Sequence, residues 1–472
     1  MVACFTIRQT VKVQAFVNTM NRLLKLAAIF GLSVVVSVAA RAQTNVLVWH
    51  KAAGTVDASV HHEALLPLLE SIAVQTGWHV YVEPGSTLDA STKFKNVPSG
   101  DALKMLLGDL NFALVPKSDS RWQLYVFHTT MKNATHLVST EKPKHVPNEL
   151  MIKVKPGTDV DALAKMLGAK VIGRMDKYGV YRLQFTDSNA TDSALSQLQM
   201  DSDVQAVDYN YYFDPPPTPQ SISPGSAPSG AISLQLSPPP SNGRTIIGLI
   251  DTGVQSLGPD LNQFILPQIN VADGTPSDSS ITHGTAMAYT ILESMANASG
   301  SSRDPDMIQP VNVYGSSDEQ TTSWNVALGI QQAVNSGATI LNMSLGSSGD
   351  STVLDDVVAQ ASQDGIIMFA AAGNTPTDAP YYPAADSGVI AVTALAQAGQ
   401  LASYANSWAD PNMIALPGTG VVYYDGVPWV VQGTSTSTAI ATGALAGNSF
   451  VHNWTPQQTA SAMIGHFTVP SQ

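Results

Sequence analysis

Apolar and polar positions along this chain fall into short blocks whose period changes from one region to the next. Over residues 45–130, the strand-like runs VLVW, WHVYVE and WQLYVF surround two helical patterns, ALLPLLESIAVQTG and SGDALKMLLGDL. They predict a small α+β module. Over 146–213 the order is clearer: ELMIKVK as a strand, TDVDALAKMLG as a helix, KVIGRM and GVYRLQF as strands, TDSALSQLQ as a helix and VQAVDYNYYF as a last strand. That β-α-β-β-α-β series predicts a second small α+β domain of the split, ferredoxin-like kind. The pattern then lapses across 214–242, where Pro, Ser and Gly dominate and no core can form, so this stretch reads as an extended linker open to proteolytic nicking. Over 243–472, near-continuous apolar strands (TIIGLID, MIQPVNVYG, ATILNMSLG, IIMFAAAGN, VIAVTAL) alternate with helical stretches. This predicts an α/β domain on a mainly parallel sheet.

The extreme N-terminus reads differently. From Met20 a basic start (Arg22, Lys25) leads into an apolar run ending at Ala40, and Ala40-Arg41-Ala42 forms a small-residue cleavage signal. Residues 1–42 are therefore expected to be a signal peptide, and the protein to be exported to the periplasm or secreted. The single Cys4 lies in this leader, so the exported part would carry no thiol and no disulfide. The 472 residues carry a formal net charge of -13, which argues against a nucleic-acid partner. With 44% hydrophobic and 12% charged residues, there is ample material for buried cores.

Candidate chemistry starts at IIGLIDTGV, where an apolar strand delivers Asp251 to Thr252 and Gly253. Two unrelated peptidase chemistries use such an acid. A carboxylate dyad needs a second Asp, and Asp386-Ser387-Gly388 offers one, though behind Tyr-Pro-Ala-Ala rather than an apolar strand. A serine triad needs a base, a nucleophile and oxyanion donors. In THGTAMA, His283 stands at a helix start and, alone among the 10 histidines, is followed by Gly-Thr. In VQGTSTSTAIATGALAG, Ser435 follows Gly433-Thr434 at the head of a small-residue helix, although a Ser/Thr cluster there is ordinarily a cap. In FAAAGN, Asn374 follows a strand end and can present an amide to an oxyanion.

These four segments occur in the order Asp, His, Asn, Ser, with the triad order of subtilisin. Nearly all of 243–464 resembles a subtilisin-like serine peptidase, with VNVYG, ATILNMSLGSSG, YYPAADSGVIAVTAL and TPQQTASAMIG following in sequence. Domain 146–213 resembles the inhibitory propeptides of that family in NELMIKVKPG, the Leu167-Gly168-Ala169 turn and VQAVDYNYYF. Module 45–130 resembles the short N-terminal domain of secretins and TonB-dependent receptors, which implies an envelope protein partner.

The peptidase resemblance implies Ser435 as nucleophile, His283 as general base then acid, Asp251 as the carboxylate that orients the imidazole, and Asn374 with the Ser435 N–H as oxyanion hole. It implies that protein or peptide substrates add as a strand against Ser344, Leu345 and Gly346. Ala370, Ala371, Ala372 and Gly373 would line a roomy apolar pocket for large uncharged side chains. The propeptide would cover the site, its YNYYF tail product-like in the cleft, until the linker is cut. The sequence departs from the family after the nucleophile, where Thr436-Ser437-Thr438-Ala439-Ile440 replaces the usual Met-Ala-Ser-Pro-His, and Ala286 replaces a His. These departures keep open a different class of function, an interaction protein with an inactive protease-like domain. Calcium is common in the family; nothing here resembles an EF-hand loop, so the residues leave a structural calcium site undecided and point to no other cofactor.

Overall fold

The structure is a computed structural model that describes residues 45–51, 53–83, 86–116, 122–134, 136–138, 143–222, 232, 234–241, 243–272, 280–300, 303–315 and 320–470. The expected signal peptide lies outside the described residues. Among the described residues no helix is long and apolar enough to cross a membrane.

The first elements are β1 (Val46–His50), β2 (Thr55–Ala64), α1 (Leu65–Thr76), β3 (His79–Val82), β4 (Asp89–Pro98), α2 (Ser99–Leu107), β5 (Asn111–Pro116), β6 (Trp122–Phe127) and β7 (His136–Leu137). They do not form one unit. β1, β2 and β4 make an antiparallel sheet which, with α1 and α2, belongs to one compact unit; β3, β5, β6 and β7 make a separate sheet that belongs to the unit containing the rest of the chain. The sequence reading treats 45–130 as a single module and does not name β2, β4 or β5. The alternation in β2 was readable, since Val56, Ala58 and Val60 are buried while their neighbours are not.

In the second unit, β8 (His145–Val154), α3 (Val160–Met166), β9 (Lys170–Met175), β10 (Val180–Gln184), α4 (Ser188–Leu198) and β11 (Val204–Phe213) follow one another in the expected β-α-β-β-α-β order. Their sheet order, β11-β8-β10-β9, is the split ferredoxin-like one. Asp159 and Asp187 cap α3 and α4 by accepting from the Ala162 and Ala190 amides. Leu150, Ile152, Leu163, Leu183 and Leu198 fill the space between helices and sheet.

The remaining elements are β12 (Gln220–Ser221), β13 (Gln235–Leu236), β14 (Ile246–Asp251), β15 (Ile269–Asn270), α5 (His283–Ser299), β16 (Arg303–Asp304), β17 (Met307–Asn312), β18 (Thr321–Thr322), α6 (Ser323–Asn335), β19 (Ile340–Met343), α7 (Thr352–Gln363), β20 (Ile367–Ala371), β21 (Val389–Leu395), β22 (Ile414–Pro417), β23 (Thr419–Tyr424), β24 (Val427–Gln432), α8 (Thr434–His452) and α9 (Pro456–His466). Seven of them form a parallel sheet in the order β15-β17-β14-β19-β20-β21-β22. Both faces are buried, which is why its strands read as unbroken apolar runs. Ile250, Met368 and Ala370 point to the core shared with α6 and α7, whereas Ile247, Leu249 and Phe369 point to the one shared with α5 and α8.

The chain leaves β14 toward β17 on one side and later returns to build β19 to β22 on the other. Such a reversal opens a crevice at the carboxyl ends of the strands, where open α/β sheets place their sites. Asp251 ends β14 there.

Candidate active site

Asp251 and His283 meet at the head of α5. The His283 Nδ1 lies 2.8 Å from Asp251 Oδ1, and the two residues are 5% and 1% exposed. The same Oδ1 accepts from the Thr252 amide at 2.7 Å. Thr and Gly follow both residues for a local reason. The Gly284 amide donates to Thr252 Oγ1 (2.8 Å), and Thr282 Oγ1 donates to the Gly253 carbonyl (2.6 Å), so the two segments are stitched side by side. A Cβ on Gly284 would fall 2.2 Å from the Thr252 carbonyl oxygen, an approach open only to glycine.

Ser435 is the second residue of α8. Its level relative to His283 follows from helix packing. A Cβ on Gly443 would sit 2.2 Å from the Ile291 carbonyl oxygen, and one on Gly447 would sit 2.6 Å from that of Met295. Ile291 and Met295 lie as many residues beyond His283 as Gly443 and Gly447 lie beyond Ser435. At one common rise per residue, the two helices run in the same direction with His283 and Ser435 at the same height. The glycines let the backbones close up, and the Ser294 hydroxyl adds a 2.7 Å bond to the Ile440 carbonyl.

Asn374 faces the same spot. Its Oδ1 accepts from the Thr434 amide (2.9 Å) and hydroxyl (3.1 Å), which leaves its Nδ2 as the available donor. Gly433 adopts φ 146° beside this amide, and a Cβ there would come within 3.1 Å of it. The Ser435 hydroxyl donates to the Ser344 carbonyl at 3.0 Å, while Ser344 Oγ donates to the Ser435 carbonyl at 3.1 Å. Behind Ser435, where the sequence departs from the family, three buried hydroxyls are satisfied: Ser437 by the Leu416 carbonyl, Thr438 by that of Thr434, and Thr442 by Asn342.

Asp386 takes no part. Its carboxyl is buried beside Asp355, with Asp350 nearby, and burial, followed by the charges of these neighbours, pushes it well above the usual carboxylate range. Since Asp251 pairs with a histidine and Asp386 with another acid, the dyad alternative has no geometric basis.

The cleft is occupied by the chain itself. From β11 the tail runs antiparallel to residues 344–349: the Tyr211 ring covers Gly349, the Tyr212 carbonyl accepts from Ser347 Oγ (2.8 Å), and the Asp214 amide donates to the Gly346 carbonyl (3.1 Å). Beyond Asp214, a cavity of about 250 Å³ is lined by Pro215, Pro216 and Pro217 together with Ser344, Gly346, Gly373, Asn374 and Ser435. The chain then continues into β12, which pairs with β24. Tyr381 and Tyr314 grip Asp214 through its carboxylate (2.6 Å) and carbonyl (3.1 Å). Both tyrosines lie in stretches the sequence reading quotes, VNVYG and YYPAADSGVIAVTAL, but it gives Tyr381 no role in the cleft.

Leu345 and Ala371 line the cavity beside Gly346 and Gly373, whereas Ala370 and Ala372 pack into the core shared with α6 and α7. The Tyr381 ring lies against both glycines, where a Cβ would come within 2.1 Å and 3.1 Å of it, so the space between them is narrower than the small wall residues suggest. As for metals, among the described residues no group of three or more His, Cys, Asp or Glu is arranged to hold an ion.

Residues 242–467 match the model of the subtilase family, and residues 132–210 that of the fervidolysin N-terminal prodomain. Subtilisin of Bacillus pumilus is 31% identical over 207 residues, 43% of this chain and 74% of that protein. The chain belongs to the subtilase family. It is a subtilisin-like serine peptidase with its own prodomain. The thermostable alkaline protease of Halalkalibacterium halodurans is 34% identical over 209 residues, 42% of this chain and 55% of that protein, so the chain spans about half the length of that relative. Among solved structures, fervidolysin from Fervidobacterium pennivorans, a keratinolytic enzyme related to subtilisin, shares the fold with a TM-score of 0.51 at 19% identity, over 68% of this chain and 57% of that one.

Proposed function

We propose that this subtilase is an exported serine endopeptidase, made as a zymogen, in which Ser435 attacks the peptide carbonyl. His283 takes the hydroxyl proton and returns it to the leaving amine. Asp251, held by its bond to Nδ1, keeps the imidazole in the tautomer whose Nε2 can accept, and it steadies the imidazolium that forms. The Asn374 amide and the Ser435 N–H stabilise the oxyanion. Substrate backbone adds along residues 344–346, on the line the tail now follows. The observation that carries this reading is the buried 2.8 Å His283–Asp251 bond, at the head of a helix level with the one that presents Ser435.

A second reading, an interaction protein with a silent peptidase domain, draws on the Ser435 hydroxyl being engaged by Ser344 and on prolines lining the cleft. Export rests on the leader pattern at 20–42. An envelope partner for the N-terminal region rests on the resemblance of 45–130 to the secretin domain.

Two measurements separate the readings. In the purified wild type and in Ser435→Ala, mass spectrometry should find the N-terminal part lost only from the wild type. A fluorophosphonate should label Ser435 once the prodomain is removed. Identical intact masses together with no labelling would favour the binder.

A further inference from the structure

Two parallel neighbours, β19 and β20, end at the nucleophile, and the slot between their ends is where a substrate side chain must go. One wall is Ser344, Leu345 and Gly346; the other is Ala371 and Gly373. Along the antiparallel run of the tail, Tyr211 stands at Gly349 and Asp214 at Gly346. Two residues further on, Pro216 falls opposite Ser344, beside Ser435. The residue at that point supplies the carbonyl to be attacked, and its side chain faces the slot. A tyrosine from the same domain already sits in it. The Tyr381 ring rests on both glycines, at separations where even one methyl on Gly346 would collide.

Resting on the assignment of Ser435 as nucleophile, we propose that Tyr381 sets the selectivity of the enzyme by filling this slot, so that the residue supplying the attacked carbonyl must be small: glycine, alanine, serine or proline. A second aromatic ring cannot take the place against Gly346 and Gly373 while the first remains, because packed interiors do not hold overlapping groups. The occupant of the position in the resting chain, Pro216, is compact and fits the rule. The phenol hydroxyl reaches out of the slot to the Asp214 carboxylate, but the ring is what fills it, so removing the hydroxyl alone should leave the preference as it is.

The test uses processed enzyme, its active sites counted with a fluorophosphonate, and two peptides that differ only in having Ala or Phe at the residue whose carbonyl is attacked. Wild type should favour Ala by about tenfold or more in kcat/KM. Tyr381→Phe should keep that ratio, and Tyr381→Gly or Tyr381→Ala, accepted as folded if the probe labels them, should reverse it. A labelled wild type that prefers Phe would overturn the proposal by itself, whether or not the variants fold, because it would mean the ring swings out when the tail leaves. An unchanged ratio in a labelled Tyr381→Gly would overturn it as well. Failure of processed wild type to take up the probe would instead overturn the nucleophile, and this proposal with it.

Discussion

The Ser435 hydroxyl donates a hydrogen bond to the carbonyl of Ser344, 3.0 Å away, and the tail residue opposite that carbonyl is a proline. An ordinary residue at 216 would offer its N–H to Ser344, as Asp214 does to Gly346 at 3.1 Å. Pro216 has none, so the carbonyl is free to accept from the serine instead. The next bond has a proline nitrogen as its leaving group. Restoring both amides with Pro216→Ala/Pro217→Ala should release the hydroxyl toward His283 and turn the bond after residue 216 into a substrate. We expect this variant to cut itself there while the wild type stays intact at that bond, with intact mass and N-terminal sequencing as the readout. Survival of the bond in a variant that still takes up fluorophosphonate would disprove the idea.

The prodomain holds on through the ends of two helices. Asn210 Oδ1 accepts from the Trp324 amide at the start of α6 (3.0 Å), and the Asp208 carboxylate accepts from the Thr352 amide at the start of α7 (2.7 Å). Each contact satisfies a helix-end donor that otherwise needs water, a kind of bond whose loss costs about 1 kcal/mol. Prodomain added in trans to processed enzyme should therefore inhibit roughly fivefold less well for Asp208→Ala, and somewhat less well again for Asn210→Ala, since Asn210 also donates to buried Glu149. Inhibition constants unchanged in both variants would show that the caps add nothing.

How much of this was legible beforehand divides by the kind of information involved. Strand periodicity, the split order of 146–213 and the segments bearing Asp251, His283, Asn374 and Ser435 are local patterns, and a linear reading finds them. The filling of the slot is not local. Tyr381 reaches Gly346 and Gly373 through a loop fold that no period encodes, so small wall residues read as open space when they are room made for a ring. Within 45–130 strand pairing is likewise beyond a linear reading: β3 pairs with β6 and β7 rather than with the neighbouring β2 and β4, and strand partners are a long-range choice.

A buried acid group makes stability depend on pH. Asp386 is 7% exposed, and burial, followed by the charges of Asp355 and Asp350, raises its carboxyl far above the ordinary value; Asp355 is raised too, by burial and then by Asp350. Between the ordinary carboxylate value near 4 and the raised one, the folded protein binds more protons than the unfolded chain. Stability from these groups is therefore full at low pH and drains away as pH climbs through that window. Asp386→Asn, fixed in the neutral form, should melt higher than wild type at pH 8, on the order of 3 °C for each kcal/mol recovered, and the gap should close near pH 4. Thermal melts at the two pH values check the sign, and a gap that widens on acidification would contradict it.

Glycine at 443 sets the distance between the helices that carry the proposed base and nucleophile. A methyl there would press within 2.2 Å of the Ile291 carbonyl and 2.8 Å of the Ser294 Cβ, neither of which can move aside as a flexible chain end could. Gly443→Ala should push α8 away from α5, costing about 1–3 kcal/mol of stability. It should also displace Ser435 from His283, so kcat should fall tenfold or more while KM changes little, because misplacement of reacting groups by about 1 Å weighs on the chemical step. Gly465, in α9, gives the matched comparison: a methyl there meets nothing within 4 Å, so Gly465→Ala should gain up to about 1 kcal/mol from helix propensity and leave kcat alone. Melting temperatures and steady-state kinetics of the two variants, measured side by side, decide the matter. Equal behaviour would mean that close packing of α5 against α8 does not place the serine.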